Sequence, residues 1–468
     1  MAEFPGAAGF GNAHIGLQNG QTGVDSINLK MPFESTSAAI ADSSGRLLFY
    51  TNGCYVANAH GDTIAGGGGL NPGDIAHWFC PETGYPTPRG AFILPLPENE
   101  RFFYLFHLGA RYDPVRKLVF GPLYYSVIDI KENSGAGAVI QKNIVLAPDM
   151  PESCCATRHG NGRDWWIVAP EYGTNRYHRF LLSPQGISIF PPEQIGPVVD
   201  CPSVGASAFA PGGSRYGRRQ NCRTVVFDFD RCTGHFSGPL AFDTSPNTFG
   251  GGGIAFSPDD SRLLANAQVT ILEANLDDAQ PALDTALFTF ENYTWGISMG
   301  FMEYGPDGVL YIGNMSRSKY LHAIVFADSS GQKWQLEWRR LALPVQNVRT
   351  FFNQPRFGLY DLPGSPCDTL GIDTPVAAAE RPAGLPAFRV YPNPAAEAWT
   401  FEKTPGIFGS EDAALELSIF NTVGTAMYRG MALQERDTHT VPVRDWPPGI
   451  YFWQISRAGR PVAGGKLV

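Results

Sequence analysis

Three groupings of residues have the types and spacing that chemistry needs. Gly296-Ile297-Ser298-Met299-Gly300 has the G-x-S-x-G form of a nucleophile elbow, in which a tight strand-to-helix turn lifts a serine above a hydrolase sheet. The elbow demands a helix on its far side. Here Phe301 to Tyr304 reads as a strand and a Pro-Asp-Gly turn follows it, so Ser298 is expected to be a strand residue. His159, Asn161, Arg163 and Asp164 stand beside Trp165 and Trp166, a set able to hold a sugar through ring stacking and paired hydrogen bonds. From it His159, Arg163 and Trp165 are the candidate ligand-binding residues. A hairpin accounts for the same residues without a ligand: Asn-Gly makes the turn, Asp164 bonds turn amides, and the two Trp face opposite sides of a strand. That structural account is the stronger of the two, because polar turn residues mostly serve the turn.

The third grouping is a series of acidic turns, Asp259-Asp260, Asp307, Asp277-Asp278 and Asp228-x-Asp230. Hard cations take several carboxylate and carbonyl oxygens, so a structural calcium site is one reading, although none of these turns is an EF-hand loop. Local bonding of Asp to backbone amides explains them without a cation and is the stronger reading, and no metal-ligand set is assigned. Two carboxylates for glycoside chemistry cannot be selected either, since their separation across distant turns is not written in the chain. Gly66 to Gly69 and Gly250 to Gly253 lack both a following helix and a Lys-Ser/Thr pair, which removes a phosphate loop and leaves no cofactor site expected.

The elements that would position these residues follow from composition. With 53 Gly and 38 Pro among 468 residues, long helices are disfavoured and short strands joined by many turns are expected, an all-β class. A turn between two short apolar runs recurs six times, at Ala41 to Gly45, Pro97 to Glu100, Asn161 to Asp164, Pro211 to Ser214, Ser257 to Asp260 and Gly305 to Gly308. The spacing averages about 53 residues, the size of a four-stranded propeller blade. Seven such units need about 371 residues, close to the span from residue 1 to 375, so a seven-bladed β-propeller is expected. Its last blade is expected to combine Trp334 to Leu359 with the N-terminal strand.

Lys plus Arg number 35 and Asp plus Glu 44, a net charge of −9, which disfavours nucleic acid as a partner. No run approaches the 18 apolar residues of a transmembrane helix. Met1 to Gly16 lacks a basic start and an apolar run, so no leader peptide is visible. The eight cysteines are even in number and widely spread, with no Cys-x-x-Cys metal pattern; at least one disulfide is expected if the chain reaches an oxidising compartment. Cys222 and Cys232 flank one strand and lie too far apart to bridge each other.

From Ile372 to Phe388 the chain carries no strand alternation and reads as a linker, with a separate domain of short strands over residues 389 to 468. About eighty residues of that kind make a small immunoglobulin-like β-sandwich. Tyr391-Pro392-Asn393-Pro394, Phe420-Asn421-x-x-Gly424, Pro448-Gly449-Ile450-Tyr451-Phe452 and the terminal Lys466-Leu467-Val468 resemble the C-terminal sorting domain of type IX secretion. The resemblance implies an exported protein of the Bacteroidota, the type IX machinery as a partner, a leader upstream of residue 1, and an extracellular or outer-surface location. It also implies that Gly449, Tyr451, Lys466, Leu467 and Val468 belong to the sorting signal. The body resembles uncharacterised exported propellers, through Ser44 to Gly53, Asn161 to Trp166, Phe229 to Gly234, Phe256 to Asp260 and Pro366 to Gly371. That family implies an architecture and no agreed activity.

The domain plan is thus a propeller over 1–375, a linker over 376–388 and a sorting domain over 389–468. The leading function is non-enzymatic: a secreted or cell-surface propeller that binds a glycan, a protein or copies of itself. The alternative is an extracellular carbohydrate- or lactone-active hydrolase or lyase with its site at the propeller mouth. Ser298→Ala is expected to leave the fold and any esterase or peptidase activity of the purified protein unchanged; loss of such activity in a folded variant overturns the strand reading.

Overall fold

A computed structural model describes residues 12–18, 21–27, 30–33, 35–42, 45–114, 117–148, 151–201, 205–243, 252–267, 270–283, 285–289, 299–305, 307–314, 318–326, 334–347, 353–370, 388–392, 395, 397–403, 415–421, 426–432, 438–447, 449, 451–457 and 460–467. The chain divides into two compact units, Met1–Gly16 with Gly23–Gly371, and Leu17–Thr22 with Ile372–Val468.

The first unit is all β apart from one short helix, Asp74–Phe79, and one 3-10 turn, Asn133–Gly135. Its strands form six successive antiparallel sets of four, over 38–68, 91–147, 155–194, 206–243, 254–289 and 299–347. The first two sets join into one eight-stranded sheet through a single parallel pairing, Ala138 with Ala65. All six recurrent turns of the sequence fall between the first and second strands of a set. In each, the backbone closes alike: Asp42 N–H donates to Arg46, Leu96 to Phe102, His159 to Asp164, Ala210 to Arg215, Ser257 to Arg262 and Gly305 to Val309. First strands of neighbouring sets lie side by side, Ala38–Ala41 by Ala91–Pro95, and Cys155–Arg158, Ala206–Phe209, Ile254–Phe256 and Met299–Tyr304 in series.

The expected seventh set does not form from the residues assigned to it. Trp334–Asn347 is the fourth strand of the sixth set, and the N-terminal strands Asn12–Gln18 and Gln21–Ile27 pair with each other as a separate hairpin. Six sets over 38–347 give about 52 residues each, close to the spacing of the recurrent turns, and the described residues of the first unit before 38 and after 347 add no further four-stranded set.

Packing follows from strands that are apolar on both faces. In the run Trp165–Pro170 every residue is buried, and alternate side chains leave on opposite faces. Trp165 joins Phe92, Leu94 and Phe106 of the second set, whereas Trp166 joins Val225, Phe227 and Phe229 of the fourth. Gly234, at φ 70, lies against the Trp166 indole, where a Cβ would stand 2.6 Å from the ring. Outer strands end this layering: Gly186–Gln194 is mostly exposed, Ile189 most of all.

Two histidines lie trapped among these layers. His107 is wholly buried, with Nδ1 2.7 Å from Asn71 Oδ1 and Nε2 3.0 Å from Ser126 Oγ. The Asn71 oxygen can only accept, so Nδ1 carries the proton and Nε2 accepts from the serine. Burial holds this imidazole neutral, with its pKa down at about 3. His322, stacked on Trp338 at 3.9 Å, is lowered to about 4 by burial and then by Arg339.

The second unit has a three-stranded sheet, Phe388–Tyr391, Ala398–Lys403 and Thr438–Pro442, and a four-stranded sheet, Leu415–Asn421, Ala426–Ala432, Tyr451–Arg457 and Arg460–Leu467. Trp399, Phe401 and Val441 of one share a core with Leu417, Ile419, Trp453 and Ile455 of the other.

Three disulfides join Cys54 to Cys80, Cys201 to Cys222 and Cys232 to Cys367, and Cys154 and Cys155 are buried thiols. Alkylation of the unreduced, denatured protein should therefore label Cys154 and Cys155 alone, read by mass spectrometry. A second expectation concerns pH. A histidine whose folded pKa lies below its unfolded value of about 6.5 stabilises fully above that value and loses its contribution as pH falls toward the folded pKa. Urea midpoints should fall from pH 6.5 to 4.5, by roughly 1 kcal/mol per pH unit for each such histidine. His107→Gln should show a shallower slope than the wild type. That difference isolates His107 from Glu152 and Glu303, which burial raises and whose contributions run the other way.

Candidate functional site

A meeting of charged and polar side chains in the first unit gathers around a segment without regular structure, residues 353–362. It begins at Asn353, whose Nδ2 donates to Arg89 O at 3.1 Å and Cys154 O at 2.6 Å. Arg89, held at φ 50 before the second set, donates Nη1 to Met302 O at 2.9 Å and Nη2 to Glu303 Oε2 at 2.7 Å. One guanidinium therefore spans from the second set to the sixth. The Glu303 carboxylate also accepts from the Gln354 backbone amide; burial raises its pKa against the pull of Arg89.

The segment continues past first strands toward the recurrent turns. The Arg356 guanidinium lies 5.0 Å from the Tyr304 ring centre, and Phe357 meets Trp165 edge to face at 5.3 Å. Arg231 donates to Tyr360 O, and Leu362 N–H donates to Gly160 O at 2.8 Å. Asn353 and Phe357, with Ser37, Ala38, Phe92 and Ile93, line a cavity of about 10 Å³, room for one water at most. Asn353 and Phe357 therefore leave little room between themselves and the first strands Ala38–Ala41 and Ala91–Pro95.

Chemically, these groups neutralise one another. Arg89 and Glu303 form an ion pair, and burial lowers Arg231 to about 10. The Cys155 thiol, 3.5 Å from Ser207 Oγ, is pushed up to about 12 by burial, so it stays protonated and is no nucleophile at neutral pH.

The structure brings His159, Arg163 and Trp165 to one turn and engages each internally. His159 accepts the Asn161 N–H at Nδ1, 3.0 Å, and donates Nε2 to Cys232 O, 2.9 Å. Arg163 pairs with Asp164 at 2.7 Å and Glu98 at 2.9 Å. Trp165 is fully buried between Phe357 and the Arg158 guanidinium, 3.8 Å from its ring centre, which leaves no ring face for a sugar. The acidic turns are likewise occupied: Asp260 accepts from Gly212 N–H and Ser214 Oγ, Asp307 from Tyr311 Oη, and Asp259 from Ser257 and Ser261. Among the described residues no three His, Cys, Asp or Glu side chains gather. Ser298 lies outside the described residues; the strand Met299–Tyr304 follows it.

Of the sorting-signal residues, Tyr451 and Leu467 are buried and face each other in register across the last two strands, with Phe452 opposite Lys466. Tyr451 Oη donates to Pro447 O, Gly449 is exposed in the preceding turn, and Val468 lies outside the described residues.

Arg89, Glu303, Asn353 and Arg231 escaped the sequence reading. Partners 214 and 264 positions apart leave no spacing signal. The one local sign was Pro86-Thr87-Pro88-Arg89-Gly90, a stretch that bars regular pairing.

Comparison with known proteins bears on the two units unequally. No curated protein matches the chain. Among solved structures, a functionally unknown protein from Desulfotomaculum acetoxidans is 12% identical with a TM-score of 0.41, covering 73% of this chain and 95% of its own. A gluconolactonase from Xanthomonas campestris, XC5397, is 13% identical with a TM-score of 0.33, covering 66% and 88%. AztD from Citrobacter koseri is 12% identical with a TM-score of 0.28, covering 84% and 96%. Likeness that weak assigns neither activity nor ligand to the first unit. The second unit is different: residues 389–468 match the family described as the Secretion system C-terminal sorting domain, which implies export from the cell.

Proposed function

We propose that the chain is a non-enzymatic β-propeller, exported by the type IX machinery through residues 389–468 and used outside the cell for binding or assembly. The single observation that carries the export reading is the match of those residues to a secretion sorting domain. Six sets of four strands with first strands side by side support a propeller passenger over residues 1–375, joined through 376–388. The binding or assembly role is supported by the way Arg89, Glu303 and Asn353 engage one another and the backbone around them. Recognition then falls to the outer rim and turns, by a glycan, a protein or another copy. In the tail, the Tyr451 and Leu467 strands and the exposed Gly449 turn supply the surface read by the machinery.

Deleting residues 389–468 in the native host tests this. The truncated protein should stay folded and accumulate in the periplasm, with the cell surface and medium depleted at least about tenfold. Normal surface or medium levels would sink the sorting assignment and leave the tail as a binding module.

A further inference from the structure

The segment that begins at Asn353 is tethered at its far end by one covalent bond, Cys232–Cys367, across 135 residues. The other two bridges span 26 and 21 residues and stay local; in each one cysteine is buried, Cys54 and Cys201, and the other, Cys80 and Cys222, is half-buried. In the third bridge both cysteines are half-buried. Ser365 Oγ stands 3.3 Å from Cys367 Sγ and 3.5 Å from Cys232 Sγ, a hydroxyl within reach of either sulfur. The bridge sits directly over Gly160, where any Cβ would collide with both sulfurs. Gly160 in turn accepts the Leu362 amide and donates to Arg231 O, while Arg231 holds Tyr360 O.

We infer that Cys232–Cys367 is a thiol-sensitive latch on a strap, residues 357–370, which closes the turn end of the space framed by the first strands. The chemistry is dithiol exchange. A thiolate of the dithiol attacks Cys367 Sγ, the S–S bond breaks, and its electron pair leaves on Cys232 Sγ, which the Ser365 hydroxyl stabilises before solvent protonates it. The second thiol of the reagent then attacks the mixed disulfide and releases Cys367 as a thiol. Two electrons and two protons have passed to the cysteines, and the dithiol is oxidised to its own disulfide. Without the covalent tie, the strap beyond Phe357 keeps the Leu362 and Tyr360 bonds, the attraction of Asp361 to Arg231, and local turns such as Gly364 N–H to Asp368. Its upstream end stays seated by Asn353 and Arg89, so the strap swings rather than leaves. What it uncovers is the turn end at Gly160 and Gly213 and the Tyr360 side of the Arg231 guanidinium, which still donates to Arg158 O, Gly212 O and His159 O.

The full chain is titrated with dithiothreitol, each step quenched by alkylation for mass spectrometry and by hydrogen exchange. Cys232 and Cys367 should become labelled at the lowest concentration, and amides of 357–370 should then exchange about tenfold faster. The strand Trp165–Pro170 should keep its protection. Gly160→Ala, which crowds the sulfurs, should lower the dithiothreitol needed. Earlier reduction of either local bridge overturns the inference. So does unchanged protection of 357–370 once Cys232 and Cys367 are free, or loss of protection in Trp165–Pro170 at the same step.

Discussion

Each four-stranded set in this protein is apolar on both faces, and that constraint governs the rest of the first unit. A single antiparallel sheet with one wet face folds against one partner; a sheet with two dry faces needs a neighbour on each side. The adjacent Trp165 and Trp166 make the demand concrete, because each fills a different inter-sheet layer and neither is exposed. Truncating a side chain of that size in a packed layer costs about 3–5 kcal/mol, a large share of a typical domain's stability. Set after set must therefore stack face to face, and the first strands are drawn together as the sets fan outward.

The stacking creates a second problem at its centre. The carbonyls of Arg89 and Cys154, just ahead of first strands, and of Met302 within one, take side-chain donors. Leaving a buried polar group unpaired costs roughly 1–3 kcal/mol. The chain answers with its own residues: Asn353 supplies two donors, Arg89 bridges the second and sixth sets, and Gln354 gives its amide to Glu303. This explains why an irregular segment is seated there: it supplies donors that strands alone do not.

The two units also differ in how they relate to known proteins. The second has short strands around one core of Trp399, Phe401, Trp453 and their neighbours, and residues 389–468 of it match a sorting domain. The first has an architecture shaped by repetition, in which unlike sequences satisfy the same packing rule. Its function therefore has to be argued from surfaces and internal bonds.

Much of this was legible in the chain. The Gly and Pro content determined an all-β class, the recurring turns marked all six first-to-second strand connections, and the motif series at residues 389–468 identified the tail, because each depends only on neighbours in sequence. The opposite faces of Trp165 and Trp166 followed from strand alternation alone. Three things were decided only by the fold. The count of sets depended on where strands stop, and Trp334–Asn347 could join the sixth set or begin another until its partner Ser318–Phe326 was placed. Disulfide partners depended on distances, since Cys232 had no reason in sequence to choose Cys367. The Arg89, Glu303 and Asn353 cluster depended on closure of the whole unit, which brings together residues that share no local pattern. Turn and strand preferences are short-range and survive in the linear chain; pairing of buried charges is long-range and exists only once apolar layers have set the geometry.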